Sequence, residues 1–286
     1  MPQPQPAQGK GSQPVQPVQA VQAVQSDPRL LPTGGAAFRP PQQAPQQAPQ
    51  QAQHAPQHAP PGTVPVMAPV VVGPPPVLLQ GKPDPRLVLI TEPDSARAVS
   101  FRLLRDNLLA KRLPRVLAIS SAAKKDGKTI CALNLALSLS EGAKVLLLDG
   151  NVLEPELATI FCIPESTPVW PANVGWLDPY RIVEFSRTLH VAAVVLRPGQ
   201  VSPRFEKQRF EQMIGALRRF NYDFIIIDAA ALSASPTVVQ LVATADATLL
   251  AVRSGATTAR ALRRATDQIP EGKGIGVALI DAMVRP

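Results

Sequence analysis

Histidine, cysteine and tyrosine are scarce in this chain, and their scarcity narrows the chemistry open to it. Three histidines and two cysteines occur in 286 residues. His54 and His58 fall in a Gln/Pro-rich stretch and His190 heads an apolar run, so neither imidazole catalysis nor a histidine metal centre is expected. Cys131 and Cys162 are far apart and fit no zinc or redox spacing. Cys131 lies on the apolar side of an expected helix and reads as core. No run of about 18 apolar residues is present, so no membrane span is expected. The N-terminus lacks a charged start followed by an apolar core, which argues against a signal peptide. The resulting expectation is a cytosolic protein.

Proline and glutamine are abundant but unevenly placed. Residues 1–85 carry 21 of the 33 prolines, with QPVQPVQAVQAVQ repeating every three residues and QQAPQQAPQQAQHAPQHAPP every three to four. Such a segment, poor in charges and aromatics, buries too little apolar surface to offset chain entropy. It reads as a disordered tail with local polyproline II character, serving as a tether, a spacer or a solvated extension. Residues 86–286 suit a single domain with a sizeable core. Their 25 Lys+Arg against 19 Asp+Glu give a net charge of +6, dispersed along the chain. The clearest basic cluster is Arg260, Arg263 and Arg264, with Arg253 shortly before. A solvated face, an oligomer contact and a nucleotide-side contact remain open for it, and no specific nucleic-acid partner is expected.

Periodicity outlines an alternating domain. Ser95 or Asp94 caps a helix over 95–111, with Val99, Leu103, Leu104 and Leu108 as its apolar stripe and Arg102 and Arg105 off it. Strands are predicted at 115–120, 144–149, 181–186, 189–196, 224–228, 247–252 and 275–281. Helices are predicted at 129–141, 203–220, 235–245 and 257–268, and residues 162–180 read as irregular. Continuous apolar strands alternating with helices predict an α/β fold, a mostly parallel sheet with helices on both faces. Ligands in such folds bind at the carboxyl ends of the strands.

Three features fall at such ends. The stretch RVLAISSAAKKDGKT, residues 115–129, runs from a strand through a short loop into a helix, in the manner of a phosphate-binding P-loop. Its candidate nucleotide contacts are Ala123, Lys124, Lys125, Asp126, Gly127, Lys128, Thr129 and Ile130. Lys128 would neutralise β/γ-phosphate charge, Gly127 admits close approach of the backbone, and the Thr129 hydroxyl would ligate Mg²⁺. Asp228, ending the run FIIID, is placed to hold Mg²⁺. Asp149, ending VLLLD, is placed to bind metal or accept a proton from an attacking hydroxyl. For both carboxylates a plain strand-end cap is the alternative. The predicted catalytic set is Lys128, Asp149 and Asp228, the predicted metal set Thr129, Asp149 and Asp228, and the cofactors ATP and Mg²⁺.

Four segments together resemble the bacterial tyrosine kinase (BY-kinase) family, P-loop ATPases related to the Par/Min type. FRLLRDNL (101–108) is similar to part of that family's first-helix motif E-x-x-R-x-x-R. SAAKKDGKTICALNLALSLS (121–140) is similar to its Walker A segment, VLLLDGNVLEPEL (145–157) to its Walker A′ segment D-x-D-x-R-x-P, and FIIIDAAAL (224–232) to its Walker B segment. ATLLAVRSGATTARALRRATDQI and GVALID fit its closing half. The resemblance implies an ATP-dependent protein tyrosine kinase regulating exopolysaccharide or capsule synthesis or export. It implies recruitment to the inner membrane face by the cytosolic tail of a Wzz-like polysaccharide co-polymerase, and self-association through helix 95–111 with Arg102 and Arg105.

The departures are specific. Val99 stands at the family's Glu, Ala122 at the first P-loop glycine, Asn151 at the second Asp of Walker A′, Leu153 at its Arg, and Ala229 and Ala230 follow Walker B. Asn151 removes a negative charge and cannot act as a base. The family usually ends in a tyrosine-rich tail, whereas here only Tyr180 and Tyr222 occur, so phosphorylation of its own tail cluster is not expected. Two further readings stay open. One is a nucleotide-binding pseudokinase scaffold for a co-polymerase. The other is a Par/Min-type positioning ATPase, disfavoured because Ala123 replaces that class's signature lysine.

Overall fold

The computed structural model describes residues 73–171, 179–196, 199 and 206–280, together with the backbone of residues 23–24. The remainder of the Gln/Pro-rich tail, residues 172–178, the start of the expected 203–220 helix and the end of the expected 275–281 strand lie outside the described residues.

In chain order the elements are β1 (Ala23–Val24), α1 (Val88–Thr91), α2 (Ala96–Ala110), β2 (Val116–Ser121), α3 (Lys128–Ser140), β3 (Val145–Asp149), α4 (Leu157–Ile160), β4 (Tyr180–Glu184), β5 (Leu189–Val194), α5 (Lys207–Leu217), β6 (Phe224–Asp228), α6 (Pro236–Thr244), β7 (Ala247–Arg253), α7 (Ala259–Gln268) and β8 (Gly274–Ile280). The strands form one sheet in the order β1-β8-β7-β2-β6-β3-β5-β4. From β8 to β5 every pairing is parallel, while β4 and β1 pair antiparallel at the two edges.

The sheet is buried on both faces, and period-two alternation divides its side chains between two cores. Leu117 and Ile119 of β2 and Val145 and Leu147 of β3 pack with α1 to α4. Val116, Ala118, Leu146 and Leu148 face the other way, onto α5, α6 and Ala265 of α7. That double burial is why these strands read as continuous apolar runs. The short helices α1 and α4 were not anticipated, because a single turn leaves no periodic pattern to read. Among the described residues, no helix is long and apolar enough to cross a membrane.

Two local expectations are corrected. On α2 the buried face is Ala98, Phe101, Leu104 and Leu108, while Val99 and Leu103 of the expected stripe are 47% and 49% exposed. Ala98, Phe101, Leu104 and Leu108 share a core with α3, and Val99 and Leu103 turn away from it. Composition also assigned Pro74, Pro75, Pro76 and Val77 to the tail. In the fold the Val77 N–H donates to the Glu184 carbonyl at 2.9 Å and the Glu184 N–H to the Pro75 carbonyl at 2.9 Å, covering the β4 edge. Proline is tolerated there because only its carbonyl is needed. Arg102 and Arg105 both turn back onto Glu141, just past the end of α3, at 2.8 and 2.5 Å. Arg260, Arg263 and Arg264 lie exposed on α7.

β6 lies between β2 and β3, with Ile119 and Asp149 both opposite Asp228. The loop that follows β3 approaches β6 closely. The Gly150 N–H donates to the Asp228 carbonyl at 2.9 Å, and a Cβ on Gly150 would lie 2.7 Å from Ile227 Cγ2 and 3.1 Å from the Asp228 carbonyl oxygen. Gly150→Ala is therefore expected to destabilise the protein by about 1–3 kcal/mol through overpacking. Urea unfolding checks this, and an unchanged midpoint would contradict it.

Candidate functional site

The site is built where β2, β6 and β3 end. β2 runs into a loop over residues 122–127 that delivers the chain into α3. Gly127, the α3 N-cap, has φ +91°, and Lys125 has φ +69°. Ala122 is not among the residues with positive φ, so the glycine missing from the standard motif is not required there for backbone conformation. Ala122 is buried against the second core instead. A Cβ on Gly127 would meet Ile280 Cγ2 at 2.9 Å, so β8 closes against the loop and glycine is required for space as well as for φ.

Asp126 stabilises the loop from within. It is buried, and its carboxylate accepts the Ala123 backbone N–H at 2.9 Å. Lys124, Lys125, Gly127, Lys128, Thr129 and Ile130 line a cavity of about 420 Å³, with Asn151, Glu154, Glu156 and Arg86 opposite and beside them. Ala123 and Asp126, both expected to touch a ligand, do not line this cavity.

Asp149 and Asp228 lie side by side in the β3–β6 ladder and are 0% and 2% exposed. The Thr129 hydroxyl donates to Asp228 at 3.4 Å. The backbone N–H groups of Asn151 and Leu157 donate to the two Asp149 oxygens at 3.1 and 3.3 Å, so this carboxylate organises the loop between β3 and α4. Beneath it, the Tyr180 hydroxyl donates to the Asp149 carbonyl at 2.8 Å.

Burial raises the Asp228 pKa to about 6 against the opposing pull of Lys128. Burial, then the charge of Asp228, holds Asp149 well above the usual carboxylate range. Two neighbouring carboxyls that resist ionisation, beside a threonine hydroxyl at a helix start, are oxygen donors short of positive charge. Mg²⁺, which keeps waters and binds through one or two carboxylates plus phosphate, fits that donor set. Among the described residues no group of three or more His, Cys, Asp or Glu that could hold a metal ion is present.

Sequence reasoning brought Lys128, Thr129, Asp149 and Asp228 to one place and did not single out Arg86, Glu154 and Glu156. Their charges were visible in DPRLV and in LEPEL, but nothing local says that either segment faces the phosphate loop. Lys124 pairs with Glu154 at 2.5 Å and Arg86 with Glu156 at 2.7 Å, so both carboxylates bridge the cavity to a cation. Asn151 lies in the cavity wall and donates through Nδ2 to the Glu154 carbonyl at 2.8 Å. Tyr180 and Tyr222 are 7% and 3% exposed, and burial raises the pKa of both phenols.

A parallel sheet carrying a strand–loop–helix anion cradle, with acidic residues at the adjacent strand ends, defines the class as a P-loop ATPase-type α/β fold. Within that class the relatives are bacterial tyrosine kinases. The chain is 25% identical to Tyrosine-protein kinase YwqD of Bacillus subtilis (strain 168) over 178 residues, 60% of this chain and 74% of that protein. It is 25% identical to Tyrosine-protein kinase CpsD of Streptococcus pneumoniae over 163 residues, 55% of this chain and 70% of that one. It is 27% identical over 207 residues to the Succinoglycan biosynthesis transport protein ExoP of Rhizobium meliloti (strain 1021), spanning 67% of this chain but only 26% of ExoP. No protein-family model matches the chain.

Among solved structures, the kinase domain of Escherichia coli tyrosine kinase ETK aligns with a TM-score of 0.59 at 17% identity, covering 73% of this chain and 85% of that one. The VpsO kinase domain aligns at 0.54 and 22% identity, covering 66% of this chain and 95% of the other. The structures carry the fold, and the sequence relatives bear out the resemblance to bacterial tyrosine kinases.

The carboxylate pair has a measurable consequence. The folded chain binds the Asp228 proton more tightly than the unfolded chain, so stability from this group is full below about pH 3.8 and is lost as pH rises through about 6. The loss amounts to about 3 kcal/mol across that window. Metal-free protein should therefore show a stability decline over this range that Asp228→Asn flattens. Denaturant unfolding at pH 4 and pH 7 measures it, and parallel profiles for the two proteins would refute the assignment.

Proposed function

We propose that this protein is a Mg-ATP-dependent tyrosine kinase that acts on a partner protein in exopolysaccharide or capsule synthesis or export. The observation that carries the reading is the convergence of Lys128 and Thr129 with the paired carboxylates Asp149 and Asp228 at one end of the sheet. Lys128 lines the cavity at the start of α3, where backbone N–H groups and the helix dipole favour an anion. Thr129 and Asp228 would hold Mg²⁺, which when bound supplies charge neutralisation on the phosphates. Asp149 orients the loop carrying Asn151. It is the carboxylate left to take up the proton of a phenol acceptor, since an amide at position 151 has no basic oxygen to do so.

The acceptor tyrosine belongs to a partner in this reading, because both described tyrosines are buried in the fold. The partner class is the cytosolic tail of a Wzz-like polysaccharide co-polymerase, supported by the resemblance of ExoP to this chain over only part of ExoP's length. Recruitment by that tail to the inner membrane face, and self-association through α2, belong to the same reading. On α2, Arg102 and Arg105 are paired to Glu141 within the chain, and Val99, Leu103 and Leu109 are large apolar residues left exposed. Asn151 favours a second reading, a nucleotide-binding scaffold that transfers nothing.

The deciding experiment incubates the full chain with Mg²⁺ and γ-labelled ATP, with and without co-polymerase tails. Label on a partner's tyrosine is expected, and Lys128→Ala is expected to reduce it by at least ~100-fold. Nucleotide binding without transfer under any condition would remove the kinase reading and leave the scaffold.

A further inference from the structure

Arg86 lies outside the phosphate loop, two residues ahead of α1, yet it lines the same cavity as Lys128. Its presentation is rigid. The Asn134 side chain, on α3 and fully buried, donates through Nδ2 to the Arg86 carbonyl at 2.8 Å and accepts the Leu89 N–H at 3.2 Å. Leu87 and Val88, the next two residues, are fully buried. The helix that begins at the phosphate loop therefore also fixes the backbone that carries Arg86.

The guanidinium is divided between two carboxylates. Asp84 clamps one edge, accepting Nε at 2.9 Å and Nη2 at 2.8 Å. That clamp holds Asp84 below the usual carboxylate range and raises Arg86 further. Nη1 donates instead to Glu156 at 2.7 Å, across the cavity. The two contacts differ in character. Asp84 is bidentate and local, a geometry that favours a strong, oriented bond. Glu156 is half exposed and single-pronged, and exposed pairs of that kind contribute little to stability. The charges of Arg86 and Glu156 also reach Asp228, with opposite effects on its proton. Both groups therefore sit within electrostatic range of the carboxylate assigned to the metal.

We propose that Arg86 is a further phosphate-binding residue of this cavity, its Nη1 held by Glu156 until a nucleoside di- or triphosphate takes that carboxylate's place. The inference rests on the nucleotide reading given above. Asp84 remains on the Nε/Nη2 edge and keeps the fork oriented, while Glu156 is the exchangeable partner. A polyphosphate competes well against a single exposed carboxylate because it carries more charge and more acceptor oxygens on one ligand. Glu156 thereby sets the affinity of the resting cavity by competing with the ligand.

Calorimetric titration of the full chain with Mg-ADP and Mg-ATP tests this, using wild type, Arg86→Gln, Glu156→Gln, the double variant and Lys128→Ala, with melting curves to verify folding. Arg86→Gln should bind about tenfold more weakly. Glu156→Gln should bind several-fold more tightly than wild type, and should have no effect once Arg86 is absent. Arg86→Gln binding like wild type would overturn the proposal. So would tightening by Glu156→Gln of equal size in both backgrounds, which signals a general charge effect. Weakening by Glu156→Gln would overturn it too, placing Glu156 on the metal. If Arg86→Gln fails to fold, Glu156→Gln decides alone, since unchanged affinity contradicts the competition. Wild type that binds no nucleotide, or binds it equally well with Lys128→Ala, removes the underlying nucleotide reading and this inference with it. Loss of binding in Lys128→Ala beside an unaffected Arg86→Gln removes only the inference.

Discussion

The insertion of β6 between β2 and β3 is the constraint on which the rest of this structure depends. β2 leads into the phosphate loop, β3 ends in Asp149 and β6 ends in Asp228. Parallel pairing of the three strands brings those ends to one edge of the sheet, with Asp228 opposite both Ile119 and Asp149. Parallel strands are stable only when both faces are covered, and the two cores supply that cover. Burial of the sheet thereby places two carboxylates where water cannot solvate them. Their reluctance to ionise follows from the fold, and it makes the position receptive to a cation.

Charge around the cavity is balanced from both sides. Four cations (Arg86, Lys124, Lys125 and Lys128) and two carboxylates (Glu154 and Glu156) face it. Each carboxylate is bonded to one cation, so the protein partly neutralises the positive charge of the cavity. Asn151 acts through its amide on the turn backbone, donating to the Glu154 carbonyl. The loop from β3 to α4 thus holds its shape by backbone contacts to Asp149 and by the Asn151 amide, and presents its acidic side chains to the cavity.

Much of the domain was legible because its strands are continuous apolar runs ended by punctuation. VLLLD and FIIID announce both a buried strand and the acid at its end, and GKT following a strand announces the cradle. What stayed hidden was of a different kind. Val99 and Leu103 belong to a plausible helical stripe, yet the face of α2 that enters the core with α3 is the one carrying Ala98, Phe101, Leu104 and Leu108, a choice no local pattern records. Pro75 and Val77 look like tail by composition, and hydrogen-bond to the sheet only because Glu184 offers an open edge.

The sequence by itself determined the class of fold, the order of its longer elements, and the loop after β2 and the acids at the ends of β3 and β6, because each depends on patterns within a dozen neighbouring residues. Only the tertiary structure decided that Arg86 stands in the same cavity as Lys128, that Glu154 and Glu156 bridge to its cations, and that Asp126 faces its own loop. Those relations join segments up to 70 residues apart, as Arg86 and Glu156 are. Such distances are closed by packing α1 onto α3 and aligning strand ends, and no spacing along the chain encodes them.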